Sequence, residues 1–187
     1  MVLKYFFPEK DFTFEELDKI SDKKKDKWSW VSSAAIALKN MKLEVKHYSI
    51  FDYNDFIKNG SDYIRKNYEK EVSEKMIKLS NIKSEVENAK KMVKENIFEL
   101  KGLSFEDIES LFKQKYMIIL LINCDIINNE PGYDGHYVIL TGIDDDNVFI
   151  HDPGIENGSP NRKVNRDLFI KAWRYPEKEN DIILIKK

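Results

Sequence analysis

The chain has 187 residues, of which 42% are hydrophobic, 12% aromatic and 34% charged. That composition excludes bulk disorder, and a single domain of this length buries roughly 70% of the surface its unfolded chain exposes. The 31 cationic and 33 anionic side chains leave a net charge of −2, and only Arg65, Arg162, Arg166 and Arg174 are arginine, which excludes the basic, arginine-rich surface of a nucleic-acid binder.

The one cysteine, Cys124, rules out an internal disulfide and any Cys-based zinc cluster. The histidines, His47, His136 and His151, form no H-E-x-x-H pattern. No metal and no cofactor are expected. The opening run Met1–Pro8 is too short for a signal peptide, and the longest apolar run, Tyr116–Ile122, is far below a membrane span. These features predict a soluble, cytoplasmic protein with neither nucleic acid nor membrane as partner.

Thr13-Phe-Glu-Glu16 reads as a capping box opening a helix through about Ile20. Ser21–Lys27 is a polar, Lys-rich connection. Trp28–Leu38 is small and apolar, the signature of a buried helix. Val45–Ile50 predicts a short strand burying Val45, Tyr48 and Ile50, with His47 at the surface. From 53 to about 100 the spacing is helical. Val72, Leu79, Val86 and Val93 recur every seventh residue, Ile82 and Ala89 fall between them at the d-like offset, and a break is expected near Ser80-Asn81. Ser104-Phe-Glu-Asp107 is a second capping box, for a helix to about Gln114. Tyr116–Ile122, His136–Gly142 and Asn147–His151 read as strands, and Asp144-Asp-Asp146 as the turn between the last two. Those aspartates lack the spacing of an EF-hand calcium loop. Asn165 predicts a cap for a helix over Arg166–Trp173, and Ile182–Ile185 a last strand. Helices first and antiparallel strands later indicate an α+β fold. No Gly-rich phosphate loop is present.

Three local features can carry chemistry. Ser29-Trp-Val-Ser-Ser-Ala34 opens the buried helix. Gly135-His136-Tyr137-Val138 starts a strand after a Gly-containing loop. His151-Asp152-Pro153-Gly154 ends the next strand. The intervening hairpin can lay His136 beside Asp152, and a helix N-terminus supplies free N–H groups for a nucleophile and its developing charge. Together they have the composition of a nucleophile–His–Asp relay. His151 alternates to the opposite face from Asp152. More ordinary roles compete. Ser29 can be a helix N-cap, Trp28 and Trp30 packing anchors, His136 a satisfied structural histidine, Asp152 a turn cap and Cys124 inert packing. Tyr133-Asp-Gly135 can be a lip of a cleft or a plain turn.

Residues 135–154 resemble the C-terminal half of the C39-like peptidases, papain-fold domains known for cutting double-glycine leader peptides. Arg162–Trp173, a basic loop followed by a helix with Phe169 and Ala172-Trp173, is also similar to that family. Ser29–Ala34 resembles the Cys-Trp-Ala-Phe-Ser-Ala type of segment, with Ser29 at the nucleophile position. The resemblance implies a single papain-like α+β domain over 1–187. An N-terminal helical part would pack on an antiparallel sheet, with a helical insertion at about 53–100. It also implies catalytic positions Ser29, His136 and Asp152, and substrate contacts from Trp28, Trp30 and Tyr133. Two departures accompany it: no Cys precedes residue 124, and the oxyanion Gln expected six residues upstream of the nucleophile is replaced by Lys23. A hydroxyl is a poorer nucleophile than a thiolate, and a lost oxyanion donor raises the barrier by about 3 kcal/mol. The expected function is therefore a C39-like protein with a degenerate site, binding a peptide or amide ligand without efficient turnover. The alternatives are a cysteine peptidase or acyltransferase whose nucleophile was replaced by Ser29, and a protein-interaction module that uses the helical insertion.

Overall fold

A computed structural model describes residues 1–154, 158–175 and 180–187. The chain forms two compact units, residues 1–44 with 54–97 and 187, and residues 45–53 with 98–186.

The first unit is helical. It holds α1 (Val2–Phe6), α2 (Phe14–Ile20), α3 (Val31–Asn40), most of α4 (Tyr53–Asn59), α5 (Ser61–Asn67), α6 (Lys70–Leu79) and α7 (Ile82–Lys94). The Thr13 capping box forms as expected: the hydroxyl accepts from the Glu16 N–H and the Glu16 carboxylate accepts from the Thr13 N–H. α3 packs on α7, with Ala35, Ala89 and Met92 fully buried. The break between α6 and α7 falls at Ser80-Asn81, where the Asn81 side chain caps α7 by accepting from the Ser84 N–H. The buried face of these two helices is not the predicted one. Val72, Leu79, Ile82, Val86 and Val93 are half-buried; of the predicted seam only Ala89 is fully buried, and Ser73, Met76, Glu85, Asn88 and Met92 face inward with it. Polar partners explain the rotation. Asp22 accepts from the Ser84 hydroxyl (2.5 Å) and the Asn88 amide (3.2 Å), which compensates the burial of their polar atoms.

The second unit holds β1 (Glu44–Ser49, from Val45 on), β2 (Phe98–Leu100), α8 (Phe105–Lys113), β3 (Met117–Asn123), α9 (Cys124–Asn128), β4 (Gly135–Ile143), β5 (Asn147–Asp152), β6 (Ser159–Asn165), α10 (Arg166–Trp173) and β7 (Ile182–Lys186). Its strands form one sheet in the order β2-β1-β7-β3-β4-β5-β6. The fold is α+β, as predicted. The sheet is antiparallel from β3 to β6 but mixed overall, because β2 runs parallel to β1. One face carries Ile118, Leu120, Ile122, Val138, Leu140, Val148 and Ile150 against Phe169, Ala172 and Trp173 of α10 and Phe105 and Ile108 of α8. Asn165 caps α10 by accepting from the Asp167 and Leu168 N–H groups.

β1 departs from its predicted alternation. Val45, His47 and Ser49 are its buried side, while Tyr48 is half-buried and Ile50 is exposed. His47, expected at the surface, is fully buried with Nε2 3.4 Å from Asp181 Oδ1. Tyr137 donates its hydroxyl to Asp181 Oδ2 at 3.0 Å. Burial alone would push the Asp181 carboxyl up, but His47, Ser49 and Tyr137 together outweigh it and hold the carboxyl below its ordinary value. A depressed acid contributes stability above its unfolded pKa and loses it as pH falls through the folded value. Asp181→Asn should lower unfolding free energy at pH 7 by ~3 kcal/mol, and Tyr137→Phe by ~1 kcal/mol. The deficit should shrink in urea melts at progressively lower pH. An unchanged midpoint for Asp181→Asn at pH 7 would contradict this reading of the network.

Candidate active site

Strand register brings His136 and Asp152 to one face. Ile139 on β4 lies opposite His151 on β5. His136 precedes Ile139 by three residues and Asp152 follows His151 by one, so both side chains point away from the Ile139–His151 face. His136 Nε2 is 3.0 Å from Asp152 Oδ1, with the imidazole 28% and the carboxylate 4% exposed. The contact is short but lacks hydrogen-bond geometry, so the two groups adjoin without an aligned hydrogen bond. With Nε2 turned to the carboxylate, Nδ1 is the nitrogen left to exchange a proton with a reacting group.

Two residues that sequence reading passed over complete the surroundings of Asp152. Arg162 on β6 lies opposite Ile150, two residues before Asp152 on the same face. Its Nη1 donates to Asp152 Oδ2 at 3.3 Å, and its Nη2 donates to Asn128 Oδ1 at 2.7 Å. The Gly154 N–H donates to Asp152 Oδ1 at 2.9 Å. The stretch read as a basic loop is thus an edge strand from Ser159, whose arginine points inward. Only Val164 is fully buried in that strand, so it carries no hydrophobic alternation to read.

The loop before His136 is tied down by Asn123, which is fully buried. Asn123 Oδ1 accepts from the Asp125 and Asp134 N–H groups, and its Nδ2 donates to Gly132 O. Gly132 sits at φ 130°, a conformation that side-chain-bearing residues rarely adopt. The Tyr133 ring folds over Gly135, where a Cβ would lie 2.6 Å from its hydroxyl.

Cys124 does not end β3. It opens α9 and packs in the same apolar cluster as Ile122, within reach of the Asp152 charge. Burial, and then the charges of Asp152 and Asp134, push its thiol up to about 12, with Arg162 opposing. At neutral pH it carries essentially no thiolate, the form that attacks.

Ser29, Trp28 and Trp30 lie in the helical unit. Ser29 is not the N-cap: Trp30 holds that position, and no side chain of its own caps α3. The Ser29 hydroxyl is buried without a hydrogen-bond partner among the described residues. The Trp30 indole donates to Ser80 Oγ at 2.8 Å, and its ring stacks on Phe56 at 5.1 Å. The Trp28 N–H donates to Leu79 O, and Lys75 Nζ lies 5.7 Å from the Trp28 ring. The Trp30 backbone N–H, at the start of α3, donates to Glu85 Oε1 at 3.4 Å. Glu85, which the sequence reading did not single out, is 5% exposed.

The family assignment rests on a match over most of the chain. The model of the Peptidase_C39 like family matches residues 31–180. The chain belongs to that family. The matched span includes His136 and Asp152 and begins two residues after Ser29. Among solved structures, the C39-like chain matches a protein from Bacillus anthracis whose crystal structure is provisionally assigned as a C39-like peptidase. The match has 26% identity and a TM-score of 0.38 over 47% of this chain and 50% of that one. The chain thus covers about half the length of that relative. No curated protein matches. No helix among the described residues is long and apolar enough to cross a membrane. Among the same residues, no three His, Cys, Asp or Glu side chains converge as a metal site.

Burial raises the Glu85 carboxyl from 4.5 to about 7, with the Trp30 N–H pulling the other way and the Asp22 charge adding to the rise. The folded state therefore binds more protons than the unfolded one between those values. Stability should fall as pH rises across that window and level off above it, by about 3 kcal/mol at most. Glu85→Gln keeps an acceptor for the Trp30 N–H and removes the titration. Thermal melts at pH 5 and pH 8 should converge in that variant. A parent protein equally stable at both pH values would refute the assignment.

Proposed function

We propose that this C39-like protein binds a peptide or amide-bearing ligand beside His136 and Asp152 and does not turn it over efficiently. The observation that carries this reading is the state of the chain's only thiol. A Cys–His site works because the imidazole and thiol rest as an ion pair, which requires a thiol pKa well below the free value. Cys124 is displaced the other way, up to about 12, and is therefore unsuited to replace a missing nucleophile. The position that resembles the family nucleophile holds Ser29, and a serine hydroxyl needs a strong base and an oxyanion hole to attack an amide. The oxyanion Gln implied by the resemblance is Lys23 in this chain.

What is retained suits recognition. The His136 imidazole is partly open to solvent and backed by a buried carboxylate. It can therefore present Nδ1 to a carbonyl or amide. The neighbouring loop is pinned by Asn123 and so is already in shape for a ligand. Tyr133, on the loop that leads into His136, is the proposed contact to a peptide's apolar groups.

Synthetic peptides spanning a double-glycine junction are suitable probes. Incubation with the purified chain should give no cleavage by mass spectrometry. Titration with the same peptides should perturb the His136 ring resonances in the parent, and affinity should fall about tenfold in His136→Ala, the loss of one good polar contact. Cleavage that disappears in His136→Ala would overturn the proposal, as would peptides that leave the His136 signals unmoved.

A further inference from the structure

Asp152 has more donors than a His–Asp pair requires. Its directed bonds come from the Gly154 N–H on Oδ1 and from Arg162 on Oδ2, while His136 Nε2 approaches Oδ1 off the bond axis. A carboxylate is planar, so two donors on different oxygens fix its orientation. Whatever meets the remaining lone pair must accept that orientation. Arg162 is fixed in turn, since Nη2 donates to Asn128 at the end of α9. That residue immediately precedes the loop carrying Tyr133 into His136. The guanidinium is 23% exposed, so its charge is only partly screened from a carboxylate that is 4% exposed.

We infer that Arg162 is a positioning residue of this site. Clamped by Asn128, it sets the plane of the Asp152 carboxylate and thereby the environment of the His136 ring. This rests on the proposed role of His136 and Asp152, and it adds the element that connects them to the edge strand and to α9. Arg162 has a second consequence. It gives the buried carboxylate a permanent counter-charge, so the site does not depend on an imidazolium to balance Asp152. A site without a thiolate partner for its histidine can therefore persist in a folded protein.

The ring nitrogens of the three histidines provide the test, by 15N NMR of the ligand-free, full-length chain. Arg162→Gln should shift the Nδ1 and Nε2 resonances of His136 and leave those of His47 and His151 in place. Arg162→Lys, which keeps the charge but not the fork, should restore at least half of that shift. Asn128→Ala should move the same two resonances in the same direction by less, and it serves if Arg162→Gln fails to fold. His136 resonances that superimpose on the parent's in Asn128→Ala and in any folded Arg162→Gln would overturn the inference. So would a shift of all three histidines together, which reports general loosening rather than positioning. The spectra involve no peptide, so a failure of the binding proposal would leave this test intact.

Discussion

A carboxylate held at about one-twentieth exposure is costly unless polar groups meet its oxygens, and the neighbours of Asp152, two hydrogen-bond donors and one adjoining imidazole, come from three stretches of chain. His136 comes from β4, the Gly154 N–H from the turn after β5, and Arg162 from β6. Through Arg162 the same carboxylate is linked to Asn128 on α9. Removing any one donor leaves a buried negative charge short of partners, so the pairing of these strands and the presentation of His136 are coupled. The turn is sterically tight as well: a Cβ on Gly158 would lie 2.1 Å from the Gly154 carbonyl oxygen. That is closer than any side chain permits.

The same physics explains what could and could not be read from the chain. Elements with local signals were legible. Both capping boxes, the Asn165 cap and the hairpin of β4 and β5 formed where their residues predicted. The His136–Asp152 approach followed from that hairpin. The errors cluster where a polar residue is buried because its partner lies far away in sequence. His47 reads as a surface residue because nothing near it reveals Asp181, and the burial of Glu85 has no local signal because the Trp30 N–H it accepts from lies 55 residues away. In β1 Val45 is buried as expected, but His47 and Ser49 take the inward positions beyond it in place of Tyr48 and Ile50. Arg162 was legible only as charge. Its role depends on pairing β6 with β5, and β6 has too little hydrophobic alternation to be recognised as a strand.

The chemistry of the site divides along similar lines. Its acid–base half, His136 with Asp152, is assembled by the sheet and supported by Arg162 and Asn123. Its nucleophilic half has no thiolate to offer. Cys124 opens α9 within reach of the Asp152 charge, and that carboxylate and the surrounding apolar residues are what keep its proton on. In the helical unit the N–H of Trp30, the N-cap of α3, donates to Glu85, and the Ser29 hydroxyl before it is buried with no hydrogen-bond partner among the described residues. A supported His136–Asp152 pair and a thiol that keeps its proton are the two observations on which the proposed binding role rests.

The measurement that bears most directly on this account is the alkylation rate against pH of a Ser29→Cys, Cys124→Ser double variant, with His136→Ala added as control. The expected result is an ordinary thiol, titrating near ~8.5 and indifferent to the control substitution. A thiolate already reactive near pH 5, and lost when His136 is removed, would contradict it. That outcome would mean that the histidine relay is intact and that position 29 lacks only its cysteine.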